Sequence, residues 1–195
     1  HYYGMKEYGN DADFDGSWGI WDEPFFEFMK KELDEKKKPF FATMFSVSSH
    51  EPYVIPKEYD GKFPKGYIPM HQTVGYTDYA FQKFFEAAKN EPWFEDTIFI
   101  ITADHGNQMH FTEFYGRAIN RGAIPILFYK ADGSLSGENR DLAQQIDIYP
   151  TVLDLIGYPK PFRSWGRSLF DRETIPFVFN GIDYYQLQRG NYICI

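Results

Sequence analysis

The chain has 195 residues, 43% hydrophobic and 25% charged, which fits one globular domain with its own core and excludes disordered and collagen-like classes. Its net charge of −8, with no long basic run, argues against a nucleic-acid groove. The one cysteine, Cys194, excludes an internal disulfide and a cysteine-based metal site, and no apolar run approaches the 18 residues or so that would span a bilayer.

Residues 1–19 are rich in Gly, Asp and Tyr and read as irregular structure. From Trp21 to Lys37 apolar residues recur at three- and four-residue spacing (Trp21, Phe25, Phe28, Met29, Leu33), which predicts a helix with Pro24 in its first turn. The nearly continuous apolar run Pro39–Val47, ending in Ser48-Ser49-His50, predicts a strand buried on both faces, of the kind found in parallel sheets. Residues 51–70 carry four prolines and read as a loop. A second amphipathic helix is expected from Met70 to Lys89, with Val74, Phe81, Phe84, Phe85 and Ala88 on its apolar side. Thr97–Thr102 predicts a second buried strand, and Ala123–Tyr129 a third whose Pro125 favours an edge or the first rungs of the ladder. A third helix follows Asp147 and stops at Gly157. After Arg172, the alternation at Phe177–Phe179 and the turn at Arg189-Gly190-Asn191 predict an antiparallel hairpin. The order is that of a layered α/β domain, here expected as a mainly parallel sheet flanked by helices. Residues 1–171 are expected to form the body and 172–195 a hairpin packed on it.

The chemistry gathers at strand ends. Thr102-Ala103-Asp104-His105-Gly106 closes one strand, and in open α/β sheets the ligand crevice lies at the carboxyl ends of the strands. Asp104 offers a hard oxygen and His105 an imidazole nitrogen to a divalent cation; the same spacing also fits a helix N-cap beside a hydrogen-bonded turn histidine. His50 also follows an apolar run directly, so parallel strands would bring it to the same rim, whereas otherwise it is a surface loop histidine before Pro52. His110 fits a further ligand, an anion contact or a solvated loop residue. Asp22 and Asp147 read first as N-caps and second as supports of a site. The Phe and Tyr stripes read as core, and neither a dinucleotide nor a nucleotide phosphate loop is present.

Five segments occur in a familiar order: Trp18-Gly19-Ile20-Trp21-Asp22-Glu23-Pro24-Phe25-Phe26, Ser48-Ser49-His50-Glu51-Pro52-Tyr53, Thr102–Gly106, Asp147–Gly157 and Gly166-Arg167-Ser168-Leu169-Phe170. Together they resemble the lipoteichoic acid synthase and phosphoglycerol transferase branch of the alkaline phosphatase/sulfatase superfamily. The His50 segment is similar to that branch's Ser-Asn-His-x-Pro-Phe. The resemblance implies Asp104 and His105 as two of four protein ligands of a catalytic divalent cation, manganese in this branch, with calcium expected for a sulfatase and zinc as a further option. It implies that His50 faces the phosphoryl group or headgroup, and that the substrate is a phospholipid headgroup or glycan. The catalytic threonine and remaining ligands lie upstream in the family and have no counterpart here, so no catalytic nucleophile is expected in this chain. The opening His1-Tyr2-Tyr3-Gly4, without Met or a leader, agrees with a fragment of a transferase held at the outer face of a bacterial membrane by upstream helices. A fragment of this kind is expected to be inactive alone. A sulfatase, marked by an upstream C/S-x-P-x-R, and a non-catalytic excised module are the alternatives.

Overall fold

The computed structural model describes residues 1–37, 39–107, 109, 112–117, 120–172, 177–181 and 185–194, with backbone only at 179–181 and 185. The chain divides into two compact units, His1–Leu135 and Ser136–Ile195.

In the first unit, helix α1 (Met5–Tyr8) and a 3-10 turn (Asp11–Asp13) lead into helix α2 (Asp22–Asp34). Helix α2 stops before the lysine run, where the Lys36 amide turns back to the Leu33 carbonyl. Its most buried ring is Phe26, outside the expected stripe, while Phe25 and Phe28 meet Tyr8 on a half-buried flank. Helix α3 (Met70–Ala88) packs on α2 and buries Thr73, Tyr76, Thr77, Ala80, Phe84 and Ala88, spaced by three and four. Val74, assigned to the apolar side by its chemistry, is 43% exposed, because the small polar residues Thr73 and Thr77 occupy the contact line instead. The core joins Phe26, Leu33, Ala80, Phe84, Ala88 and Phe94, and Phe99 is packed at its side. Ring centroids 4.8 Å apart at Phe26–Phe81 and 5.1 Å apart at Phe94–Phe99 show why the chain is so aromatic. Each such ring, when fully buried, contributes about 1.5–3 kcal/mol.

The expected parallel sheet is not what pairs here. Strand β1 (Phe99–Thr102) pairs antiparallel with β2 (Ile126–Tyr129), from Phe99 opposite Tyr129 to Thr102 opposite Ile126. Among the described residues, the connection between them carries no crossover helix of the length a parallel return needs. Pro125 sits one residue before the ladder, where its missing N–H removes no rung, and its carbonyl accepts from the Thr102 hydroxyl at 2.9 Å. Residues 40–47 form neither helix nor strand and pair with no strand among the described residues. Phe40 and Met44 turn into the core while Phe41 (87%) and Phe45 (68%) are exposed, so this segment has one buried face and not two.

In the second unit a 3-10 turn (Gln145–Asp147) runs into helix α5 (Ile148–Leu155); the short helix α4 (Glu113–Gly116) belongs to the first unit. Gly157, at φ +65°, ends α5, with the Tyr158 amide reaching the Leu153 carbonyl. Asp147 is buried (2% exposed), and its carboxylate does not cap α5. One oxygen accepts from the Arg167 amide and the other from the Gln144 amide, both at 2.9 Å. Gly166 is required beside it, since a Cβ there would lie 2.3 Å from the Ile146 carbonyl oxygen. Strands β3 (Phe177–Gly181), β4 (Tyr185–Arg189) and β5 (Tyr192–Cys194) form an antiparallel three-stranded sheet, one strand more than the expected hairpin.

Candidate active site

Strand β1 delivers Asp104 and His105 at its carboxyl end. Thr102 is the last paired residue, and the chain leaves the sheet at Ala103. Gly106 allows the exit for a reason of space: its φ is not positive, but a Cβ would stand 2.5 Å from the Arg121 carbonyl oxygen. The His105 amide donates to Asp104 Oδ1 at 2.9 Å, which fixes the carboxylate. His105 Nδ1 lies 2.9 Å from the Gly106 carbonyl oxygen. A carbonyl only accepts, so Nδ1 carries a proton, and in the neutral ring Nε2 then presents its lone pair. Nε2 and Asp104 Oδ2 are 3.5 Å apart, and both side chains are more than half exposed.

These features fit a divalent cation. Two donors about 2.1 Å from one tetrahedral cation lie about 3.4 Å apart. A ligating histidine typically donates its other N–H to a carbonyl or carboxylate, as His105 does to Gly106. Among the described residues no third His, Cys, Asp or Glu joins the pair.

His50 stands on a separate scaffold. Asp22, 1% exposed, accepts from the Val47 and Ser48 amides through Oδ1 and from the Thr77 hydroxyl through Oδ2. The Ser48 hydroxyl accepts in turn from the Asp22 amide at 2.9 Å. One carboxylate thus pins the start of α2, the end of the 40–47 segment and the middle of α3. From that anchor the chain turns through Ser49, whose carbonyl accepts from the Thr73 hydroxyl, to His50. The His50 ring lies against Trp18, with centroids 4.1 Å apart. The Trp18 indole N–H donates to the Glu51 carbonyl at 2.6 Å, and His50 Nδ1 faces the same oxygen at 3.4 Å. Trp18 is itself held by the Asp15 carboxylate, which accepts from the amides of Ser17, Trp18 and Gly19.

A direct link joins the two loops: Asn107 Nδ2 donates to the Tyr53 hydroxyl at 2.9 Å, Tyr53 standing three residues after His50 and Asn107 two after His105. Trp18 and Tyr53 lie inside segments the sequence picked out, but neither they nor Asn107 were given a role, because their contacts span 33 and 54 residues and leave no periodic trace. Asp147, in the second unit, serves there as a backbone staple. His110 lies outside the described residues. A cavity of about 600 Å³ in the second unit is lined by Tyr158, Phe162 and Trp165 among others, but its polar groups serve one another. Ser168 donates to Asp154, and the Arg167 guanidinium donates to the carbonyls of Leu142, Ser168 and Asp171.

A profile of the Sulfatase family matches residues 1–158. Lipoteichoic acid synthase 1 of Bacillus subtilis (strain 168) is 25% identical over 197 residues, covering 86% of this chain and 30% of that protein. Lipoteichoic acid synthase of Staphylococcus aureus (strain USA300) is 24% identical over 206 residues, covering 88% of this chain and 31% of its own length. The chain therefore spans about three-tenths of the length of these relatives. With the aspartate–histidine pair at a strand end and matches running along most of its length, the chain belongs to the sulfatase family, in the branch that resembles the lipoteichoic acid synthases.

Proposed function

We propose that this chain is part of a metal-dependent phosphoglycerol transferase, carrying the headgroup-side histidine and half of the cation site. The observation that carries the reading is the Asp104–His105 pair, with oxygen and nitrogen donors 3.5 Å apart and the histidine tautomer fixed by Gly106. In this reading Asp104 and His105 hold a divalent cation, manganese by family preference. Bound there, a divalent cation supplies Lewis-acid polarisation of a phosphoryl oxygen and activation of a hydroxyl nucleophile. Asp104 contributes the negative charge that retains the cation, and His105 a neutral nitrogen held in one orientation. His50, braced by Trp18, turns Nε2 to the substrate and donates to a phosphoryl or headgroup oxygen. The substrate is a phospholipid headgroup or glycan outside the bacterial membrane, and the nucleophile and other ligands come from sequence beyond this chain. Among the described residues no helix is long and apolar enough to cross a membrane.

The test is made on the longer protein that this reading requires. Asp104→Ala abolishes manganese-dependent release of phosphoglycerol, whereas His50→Ala lowers turnover on the order of 10²–10³-fold with metal content retained. The 195-residue chain alone turns over neither a chromogenic phosphodiester nor a sulfate ester. Loss of metal in His50→Ala, or retained metal and activity in Asp104→Ala, contradicts the assigned roles. Hydrolysis of the sulfate ester in preference to the phosphodiester selects the sulfatase reading.

A further inference from the structure

We propose that Tyr53 is a positioning residue, its phenol bonded to Asn107 so as to fix the spacing of the His50 loop and the Asp104–His105 loop. The inference rests on the roles given to His50, Asp104 and His105 above. The two loops come from remote parts of the chain and have separate anchors: the Asp22 carboxylate for one and the end of β1 for the other. A headgroup contacted by His50 while its phosphate meets a cation at Asp104 and His105 requires a constant distance between them. The Asn107–Tyr53 bond, 2.9 Å long, is placed to set it.

Both ends of this strut are tied to their loops by hydrogen bonds. The Tyr53 amide donates to the His50 carbonyl at 3.0 Å, so a shift of the phenol carries His50 with it. Tyr53 sits at φ +58°, a backbone region that a bulky L-residue rarely adopts and that the surrounding contacts must enforce. The Asn107 side chain is held on both sides. Its Oδ1 accepts from the Met109 amide, and its Nδ2 also approaches the Met70 sulfur at the start of α3. The family pattern has Phe at the position of Tyr53, so the ring fits without its hydroxyl, and Tyr53→Phe removes the strut while preserving the packing.

The experiment compares the 195-residue chain with its Tyr53→Phe and Asn107→Ala variants by amide hydrogen exchange and by NMR during Mn²⁺ titration. Tyr53→Phe speeds exchange about fivefold at both Tyr53 and Met109, as loss of one neutral hydrogen bond requires, with Val47 and Ser48 unchanged. Asn107→Ala reproduces the effect at Tyr53. Mn²⁺ broadens Asp104, His105 and His50 signals in the unaltered chain. In Tyr53→Phe the broadening persists at Asp104 and His105 and weakens at His50. Unchanged exchange at Met109 in Tyr53→Phe overturns the strut, as does equal broadening of His50 in both proteins. If Mn²⁺ broadens neither Asp104 nor His105 in the unaltered chain, the pair does not hold the ion without the further ligands, and the exchange data alone decide whether the loops are coupled.

Discussion

Asp22 and Asp104 are the same side chain in opposite settings. Asp22 is sealed at the junction of α2, α3 and the 40–47 segment, and its oxygens accept from two amides and a hydroxyl. Asp104 sits at the open end of β1, more than half exposed, with Oδ2 aimed towards the His105 nitrogen. A carboxylate whose lone pairs are taken up by buried donors has become part of the framework. In the proposed reading, a carboxylate at the surface beside a nitrogen of fixed tautomer is the one that would hold a cation. The first makes the second useful, because the Asp22 junction is what carries His50.

The strongest way to break this contrast is to exchange the effects of the two residues. Asp22→Ala leaves two buried amides and a hydroxyl without their acceptor and lowers stability by about 3 kcal/mol or more, read from urea denaturation. A loss below about 1 kcal/mol would show that Asp22 is not the anchor. Next in size is Gly106→Ala, whose methyl meets the Arg121 carbonyl 2.5 Å away. It costs about 1–3 kcal/mol and lowers Mn²⁺ affinity, while the α2–α3 core keeps its near-ultraviolet circular dichroism. If affinity is unchanged, the backbone exit at Gly106 does not shape the pair.

The contrast sharpens at alkaline pH. Burial raises the Tyr76 phenol above its usual value of 10.0, and the charges of Glu23 and Asp22 push the same way. Burial also raises Tyr59, helped by its hydrogen bond to Glu23. The native state thus holds these protons more tightly than the unfolded chain. Their contribution is complete below pH about 10 and is lost as pH rises through the native values. Urea midpoints should be flat from pH 8 to 9.5 and fall above 10 in step with tyrosinate absorbance; a flat profile to pH 11 would refute the burial of these phenols. The smallest effect is at the rim, where Asp104→Ala changes stability by less than about 0.5 kcal/mol.

What the sequence disclosed follows from what is local. The two long helices, the stop at Gly157 and the exit of Asp104 and His105 from β1 all rest on patterns within a few residues. The apolar stripe of α3 holds at Phe81, Phe84, Phe85 and Ala88 but not at Val74, and Thr73 and Thr77 were missed because they are polar and their burial is licensed by partners elsewhere, the Asp22 carboxylate for Thr77 and the Ser49 carbonyl for Thr73. The run at 40–47 looked buried on both faces because composition does not reveal whether a neighbouring strand exists. Asp22 looked like a helix cap because its residue type is common there, whereas its acceptors are filled by groups 25 and 55 residues away. The bond between Tyr53 and Asn107 was invisible for the same reason.

The central claim is that Asp104 and His105 bind one cation together, and Mn²⁺ titration followed by electron paramagnetic resonance tests it most directly. The longer protein that the proposed reading requires and its Asp104→Ala and His105→Ala variants are compared at equal concentration, each checked by thermal melting. The account predicts one Mn²⁺ bound per chain, an affinity at least about tenfold weaker in either variant, and melting temperatures within a few degrees of one another. Equal Mn²⁺ binding by all three proteins would contradict it.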